Sequence, residues 1–435
     1  MLKKLTQVVS ATGFIVLFAF ALRMAYFTRG LASFSGSLPY GGETGAIAAA
    51  IASGKGFSSP LPNIPTGPTA WLTPIYPYLL AGIFKLTGIF TFRSAVIIHV
   101  LNILFSALTC WPIRSAGSIA FGKRVGTASA WLWAILPDAI FYPVIWIWDT
   151  ALAGLCLAAL FAATLKIRGS ARISWWIVYG ALWAFAAMVN PSMLSVLPFL
   201  ALWAIWPLRA QLHKAARLAA AASLVFIAGI APWGIRNYLV FHKFIAFRSN
   251  FGLELWLSNS PEVPDTWAGF LHPTEDPKEA AKFVRMTEIP YMEEKQSTAF
   301  AFMRAHPRDT MRFFFRRFAD NWLGVWDAPA DMWRFMPAFM RLTMVWNCLF
   351  SLLSFAGALF AFRARSEAAA PFAWVMLMFP VLFYVTHTSG RYRYPMDPMM
   401  AILTVFAIAY PLSRLGQRTF GKLWLAEGEK TLYVR

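Results

Sequence analysis

Long apolar runs recur along the chain at about 11–28, 94–113, 125–143, 149–166, 174–189, 192–207, 218–235, 338–361, 370–386 and 397–413. A helix needs roughly 20 apolar residues to cross a hydrocarbon core. Helices also satisfy their own backbone hydrogen bonds, which lipid cannot do for them. The pattern predicts an all-α polytopic membrane protein with about ten transmembrane helices. No internal repeat at a fixed period is evident.

The polar positions between these runs set the orientation. Arg114, Lys123 and Arg124, then Lys166, Arg168 and Arg172, then Arg209, Lys214 and Arg217, then Arg363 and Arg365 fall on one side. Lys3 and Lys4 join them, as do Arg414, Arg418 and Lys422, against only Glu367, Glu427 and Glu429 as acids. Short loops rich in lysine and arginine stay in the cytoplasm, so both termini are expected there, and ten crossings give the same parity. The first run follows a basic end as a signal peptide would. Its length, and the lack of an A-x-A site before the first loop, favour a retained helix.

Two long segments then fall outside, 29–93 and 238–336. Within the first, PTGPTAWLTPIYPYLLAGIFKLTGIF is apolar but interrupted by Pro68, Pro74 and Pro77. An interfacial helix is expected there, because another crossing would invert every later loop. The second segment holds 13 of the 20 acidic residues, with a similar number of basic ones, which suits a folded extramembrane lobe. Met311 to Trp326 within it has the pattern of an amphipathic helix lying on the membrane. The expected organisation is a transmembrane module over 1–237 carrying the first outer loop, an extracytoplasmic lobe over 238–336, and transmembrane helices with a cytoplasmic tail over 337–435.

Composition sharpens this picture. The chain is 58% hydrophobic and only 14% charged, where soluble domains carry about 25% charged residues. The net charge of +19 is spread between apolar segments with no arginine-rich arm, so the basic residues belong to loops beside anionic lipid and no nucleic-acid partner is expected. Cys110, Cys156 and Cys348 each lie in an apolar stretch without metal-ligand spacing and read as small core residues.

Apart from the lobe, the outer side has four acids: Glu43, Asp138, Asp149 and Asp397. A carboxylate at the edge of hydrocarbon is expensive and is a functional candidate for that reason. Glu43, in YGGETGAIAAAIASGKGF, also fits a first-turn acid complementing a helix dipole. Asp149, in WIWDT, also fits an N-cap, and Asp138 ranks below both. HTSGRYRYPMDP gathers His387, Arg391 and Arg393 at one membrane face, and Arg236 lies at the outer end of the seventh run. Arginine forks suit phosphate oxygens; interfacial anchoring is the plainer role.

The stretches ETGAIAAAIASGKGF, PTAWLTPIYPYLLAGIFKLTG, WIWDT, PWGIRNYLVFHKFIAFRSNFGLELWLSN and HTSGRYRYPMDP, in that order, resemble the bacterial family 39 glycosyltransferases of the GT-C fold, relatives of protein O-mannosyltransferases and of the lipid A aminoarabinose transferase. The resemblance implies transfer of a sugar from a polyprenyl-phosphate donor to a lipid, glycan or protein acceptor outside the cytoplasm. It places the catalytic base on Glu43 and a second acid on Asp149, and makes Arg391, His387 and Arg236, with Arg393 beside them, the candidates for holding the donor phosphate. Gly42 stands where relatives often have another acid, and Thr73 where the aminoarabinose branch has a lysine before the proline, so Lys55 or Lys85 becomes the substitute cation. Asp149 either orients the acceptor or shares a divalent metal with Glu43. Two carboxylates are a thin set for a hard cation wanting about six oxygens, so the metal stays open. The competing class is a transporter or lipid flippase, which would distribute intramembrane charge through the depth of several helices. A non-catalytic scaffold would leave the clustering unexplained.

Overall fold

The computed structural model describes residues 11–31, 40–264, 266–324 and 338–415. Lys3, Lys4, Arg418, Lys422, Glu427 and Glu429 lie outside the described residues, as do Trp326 and the stretch 32–39 of the first outer loop. The described residues contain helices and, as strand-like pairing, only an isolated bridge between Ser58 and Pro68.

The chain opens with α1 (Thr12–Leu31), then two outer helices, α2 (Gly42–Ala52) and α3 (Ile75–Thr87). The bundle continues with α4 (Phe92–Leu108), α5 (Cys110–Phe121), α6 (Lys123–Ile135), α7 (Pro137–Ile145), α8 (Thr150–Ile167), α9 (Ile173–Val189), α10 (Leu197–Ile205) and α11 (Leu212–Phe241). The lobe holds α12 (Phe251–Trp256), α13 (Pro277–Met286), α14 (Glu288–Ala305) and α15 (Pro307–Leu323). The chain then returns through α16 (Ala338–Arg363), α17 (Ala369–Met378), α18 (Val381–Val385), α19 (Gly390–Arg393) and α20 (Asp397–Leu415).

Six helices among the described residues are long and apolar enough to cross a membrane, and α6 with α7, bent by 46°, makes a seventh if counted as one span. The protein is an integral membrane protein. The three other predicted spans fall on shorter apolar helices, Ile173–Val189, Leu197–Leu208 and Ala369–Val385. Helix α3, the predicted interfacial element, has 13 residues. At 1.5 Å per residue it is about 20 Å long, short of a ~30 Å core.

Helix α8 is the most enclosed of the six, with 72% of its apolar window buried, because its alanines and Gly154 let neighbours approach closely. A Cβ on Gly154 would stand 2.8 Å from Tyr394 Cε1. At the α6–α7 bend, the last carbonyls of α6 lose their helical partners. The fully buried Arg23 of α1 donates to two of them, Trp133 O (3.0 Å) and Ala134 O (3.0 Å), and across the bend to Ala139 O of α7 (2.9 Å). Cys110 and Cys156 are buried free thiols, as expected of core residues, whereas Cys348 is only partly buried.

The lobe is not a separate body resting on the bundle. One apolar core joins Ile47, Phe57, Leu61 and Trp71 of the first outer loop to Leu253, Leu255, Phe283 and Tyr291 of the lobe. Glu288 reinforces the joint: its carboxylate accepts from Thr69 Oγ1, from Ala70 N at 2.8 Å and from Ser249 Oγ at 2.6 Å. Helix α15 buries Phe313, Arg317 and Trp322 and exposes Met311, Phe315 and Phe318, the two faces expected of an interfacial amphipathic helix.

Candidate active site

Where α2, the α7–α8 turn, the lobe and the segment after α18 converge, they enclose a cavity of about 770 Å³. Glu43, Asp149, His387 and Arg391, four residues singled out from the sequence, all line it.

Glu43 is in the first turn of α2, after two glycines with positive φ, Gly41 (79°) and Gly42 (46°). A Cβ at Gly41 would stand 2.2 Å from Ile147 O, so this entry into the helix excludes any side chain. The tight approach sets α2 against the WIWDT turn and puts Glu43 at the cavity wall. Its carboxylate is not merely a dipole acid facing solvent, for Oε1 lies 3.3 Å from His272 Nε2 with its side chain only 13% exposed. Burial pushes the Glu43 carboxyl above the ordinary carboxylate range; His272 and Arg391 offset part of that effect.

Asp149 occupies the N-cap position of α8 but makes no side-chain capping bond. Its Oδ2 accepts from Asn190 Nδ2 at 3.0 Å instead. Ser192 fixes the orientation of that amide, since its backbone N–H can only donate and does so to Asn190 Oδ1 at 3.1 Å. Burial also raises the Asp149 carboxyl, against the pull of Arg248 and Arg391.

The cationic wall is built as a chain. Arg391 Nη2 donates to Tyr392 Oη (2.9 Å), which pairs with His387 Nε2 (2.9 Å), and His387 Nδ1 lies 3.4 Å from Glu254 Oε2. Trp267 stacks on His387 with ring centroids 4.7 Å apart, and the Arg391 guanidinium lies 4.7 Å over Trp148. Burial would raise the Glu254 carboxyl, but the His387 bond and nearby charges outweigh it and hold the group down at about 2. The lowered carboxyl favours the Glu254 anion. It favours a proton on His387 Nδ1, which leaves Nε2 to accept from Tyr392 and the phenol oxygen to accept from Arg391. Arg248 lines the same cavity and is half-buried.

Arg248, Glu254, His272 and Asn190 were not among the sequence candidates. Arg248 and Glu254 lie inside a stretch that carries the family resemblance, so the signal was present. His272 and the Asn190–Ser192 pair carry no motif.

No family model matches the chain, and no curated protein matches it by sequence. Solved structures do align. The oligosaccharyltransferase AglB from Archaeoglobus fulgidus, in complex with an inhibitory peptide and a dolichol-phosphate, superposes with a TM-score of 0.60 at 13% identity, covering 98% of this chain and 53% of that one. An Archaeoglobus fulgidus oligosaccharyltransferase in complex with zinc and sulfate superposes with a TM-score of 0.56 at 13% identity, covering 95% of this chain and 50% of that one. The fold is of the GT-C type. The chain spans about half the length of the archaeal enzyme it matches, and identity this low speaks to fold alone. ArnT from Cupriavidus metallidurans, at 15% identity over 95% of this chain and 81% of that one, reaches a TM-score of 0.38, too loose to argue from.

The GT-C bundle sends the other sequence candidates elsewhere. Arg393 is 3% exposed beneath the cavity, bonded to Asp397 Oδ1 at 3.0 Å and Asn347 Oδ1 at 2.9 Å, with Asp138 Oδ2 at 3.5 Å. Arg236 donates to Thr69 O (2.6 Å), Phe57 O (2.9 Å) and Asn237 Oδ1 (2.9 Å), tying the first outer loop to the end of α11. Lys55 and Lys85 are exposed. None of these four lines the cavity. The first two are committed to backbone, amide and carboxylate partners, and the lysine chains lie outside the cavity lining. For a metal, no group of three or more His, Cys, Asp or Glu side chains is arranged to hold an ion among the described residues. Glu43 and Asp149 alone fall short of the six oxygens a hard cation wants, so the described residues do not fit one.

Proposed function

We propose that this protein is a membrane glycosyltransferase of the family 39 kind, moving a sugar from a polyprenyl-phosphate donor to a lipid, glycan or protein acceptor. The observation carrying this reading is a single cavity with a pinned carboxylate, Glu43, and the two arginines Arg391 and Arg248. The acceptor hydroxyl attacks the anomeric carbon. The bond from that carbon to the phosphate oxygen breaks, and the hydroxyl proton passes to Glu43. Charge develops on the departing polyprenyl phosphate, and the fixed guanidinium of Arg391 meets it with its geometry already set. Asp149, held by Asn190, orients the acceptor. The arginine-bearing wall carries the donor phosphate, and Trp146 and Trp148 offer flat faces for the sugar.

The lysine and arginine bias of the short loops supports a reaction on the extracytoplasmic side, in a bacterial plasma membrane, where the cavity and the lobe meet. That the archaeal AglB is described with a dolichol-phosphate and a peptide supports a lipid-phosphate donor here.

The test is transfer of a radiolabelled sugar from a panel of polyprenyl-phosphate sugars to membrane-extracted acceptors by the purified protein in nanodiscs. Labelled product above that of a Glu43→Gln preparation is expected. No product from any donor, with the lipid carrier also failing to bind, would overturn the reading.

A further inference from the structure

We infer that His272, a residue of the outer lobe, is the positioning residue for Glu43, donating one fixed hydrogen bond to Oε1 so that Oε2 is left to take the acceptor's proton. This rests on the base assignment made above.

The tautomer follows from the hydrogen bonds. The backbone N–H of Thr274 can only donate, and it points at His272 Nδ1 from 3.2 Å, with Thr274 Oγ1 at 2.7 Å from the same nitrogen. Nδ1 is therefore the acceptor, and in the neutral ring the proton is on Nε2. Nε2 faces Glu43 Oε1 at 3.3 Å. An imidazole that donates through Nε2 fixes one carboxylate oxygen without removing its charge.

The ring is held rigidly. The backbone carbonyl of His272 accepts from Glu275 N (2.8 Å) and Asp276 N (2.9 Å), which locks the turn leading into α13. Trp71 of the first outer loop meets the ring edge to face at 5.7 Å. The residue is 9% exposed. The backbone N–H of Glu43 also reaches its carboxylate; with about four acceptor sites on two oxygens, the group keeps acceptor capacity toward the cavity it lines. A general base must present a free oxygen at hydrogen-bond reach of the proton it removes, and precision of this kind comes from a supporting shell. The geometry also makes the base composite: Glu43 comes from the transmembrane module and its fixing partner from the lobe.

The experiment compares the full-length protein with its His272→Ala and His272→Gln variants in nanodiscs, measuring kcat and donor KM separately. A hydrogen bond to a charged group is worth about 10–100-fold in an equilibrium. His272→Ala is expected to lose about that factor in kcat, with donor KM within about twofold, since donor contacts are on the arginine wall. Glutamine places its amide N–H at the position of Nε2 and is expected to recover much of the loss. A wild-type kcat in the alanine variant overturns the inference. So does a glutamine variant no better than alanine while both remain monodisperse and unfold at the wild-type temperature. Ring ¹⁵N shifts of His272 give a readout independent of turnover, with a protonated Nε2 and bare Nδ1 expected and the opposite tautomer contradicting the proposal. If the wild type transfers no sugar yet shows the expected tautomer, it is the glycosyl-transfer reading that has failed.

Discussion

Arg391 and Arg393 leave the same short helix two residues apart and end in opposite conditions. Arg393 is enclosed with Asp138, Asp397, Asn347 and Ser351, at the junction of four helices. Arg391 is at a cavity wall, where its bond to a protein side chain is to the phenol of Tyr392 and its flat face lies over Trp148. Both charges are costly to place at the edge of a membrane. One is met by two carboxylates inside the protein. The other keeps donor capacity toward an open volume. The carboxylates divide in the same way: Asp138 and Asp397 are 4% and 0% exposed and face Arg393, while Glu43 and Asp149 face the cavity, beside His272 and Asn190 respectively. Charge paired directly inside the protein is architecture here, and charge held in place around an open volume marks the proposed site.

The largest effect expected from this division is at Glu43. Glu43→Gln keeps the bond from His272 but cannot accept a proton, so transfer per folded molecule should drop by about 10²–10⁴-fold. Wild-type turnover would remove Glu43 as the base and leave Asp149 next.

On the architectural side, Arg393→Ala leaves two buried carboxylates without their cation. Breaking a buried pair from one side costs about 3–5 kcal/mol. The variant should show a clearly lowered unfolding midpoint in detergent, or fail to accumulate. If it folds normally and loses only donor binding, the boundary between the two regions is drawn wrongly.

Arg391→Ala should do the reverse. Donor affinity should fall by about 10–100-fold, the range for hydrogen bonds to a charged group, with the unfolding midpoint unchanged. Arg391→Lys should recover little, because the fork is lost. Unchanged affinity for polyprenyl phosphate in the alanine variant would take Arg391 out of the site.

The sequence showed one side of this cavity and hid the other, for a physical reason. Glu43, Asp149, His387 and Arg391 stand beside apolar runs, where a polar group is conspicuous. Arg248, Glu254 and His272 stand in a lobe holding 13 of the 20 acidic residues, where one more charged or polar residue has no contrast. The fold class was legible because hydrocarbon imposes helices, and the 46° bend at Leu136 was not, since it depends on Arg23 reaching across from α1. Arg393 looked equivalent to Arg391 because both lie in one motif; two residues along a helix, about half a turn, separate cavity from core, and no spacing rule says which face is which.

A smaller effect concerns pH. The Glu43 carboxyl is raised in the folded protein, whereas an unfolded glutamate titrates near about 4.3. The folded state thus prefers the neutral acid, and that preference is lost as pH rises through the folded value. Above that value the charge is a net cost, so Glu43→Gln should unfold slightly higher than wild type at pH 7 and at the same temperature near pH 4. A variant less stable than wild type at pH 7 would mean that the charge is balanced and that Glu43 belongs to the architecture.

The central claim is that the cavity between Glu43 and Arg391 is where the lipid-linked donor is processed. A structure of the full-length protein with polyprenyl phosphate bound tests it most directly. The account predicts the phosphate within hydrogen-bond reach of the Arg391 guanidinium, on the Arg248 side of the cavity, with the open oxygen of Glu43 facing the space a sugar would fill. A phosphate held instead by Arg236, Lys55 or Lys85, with the cavity left to solvent, would contradict it.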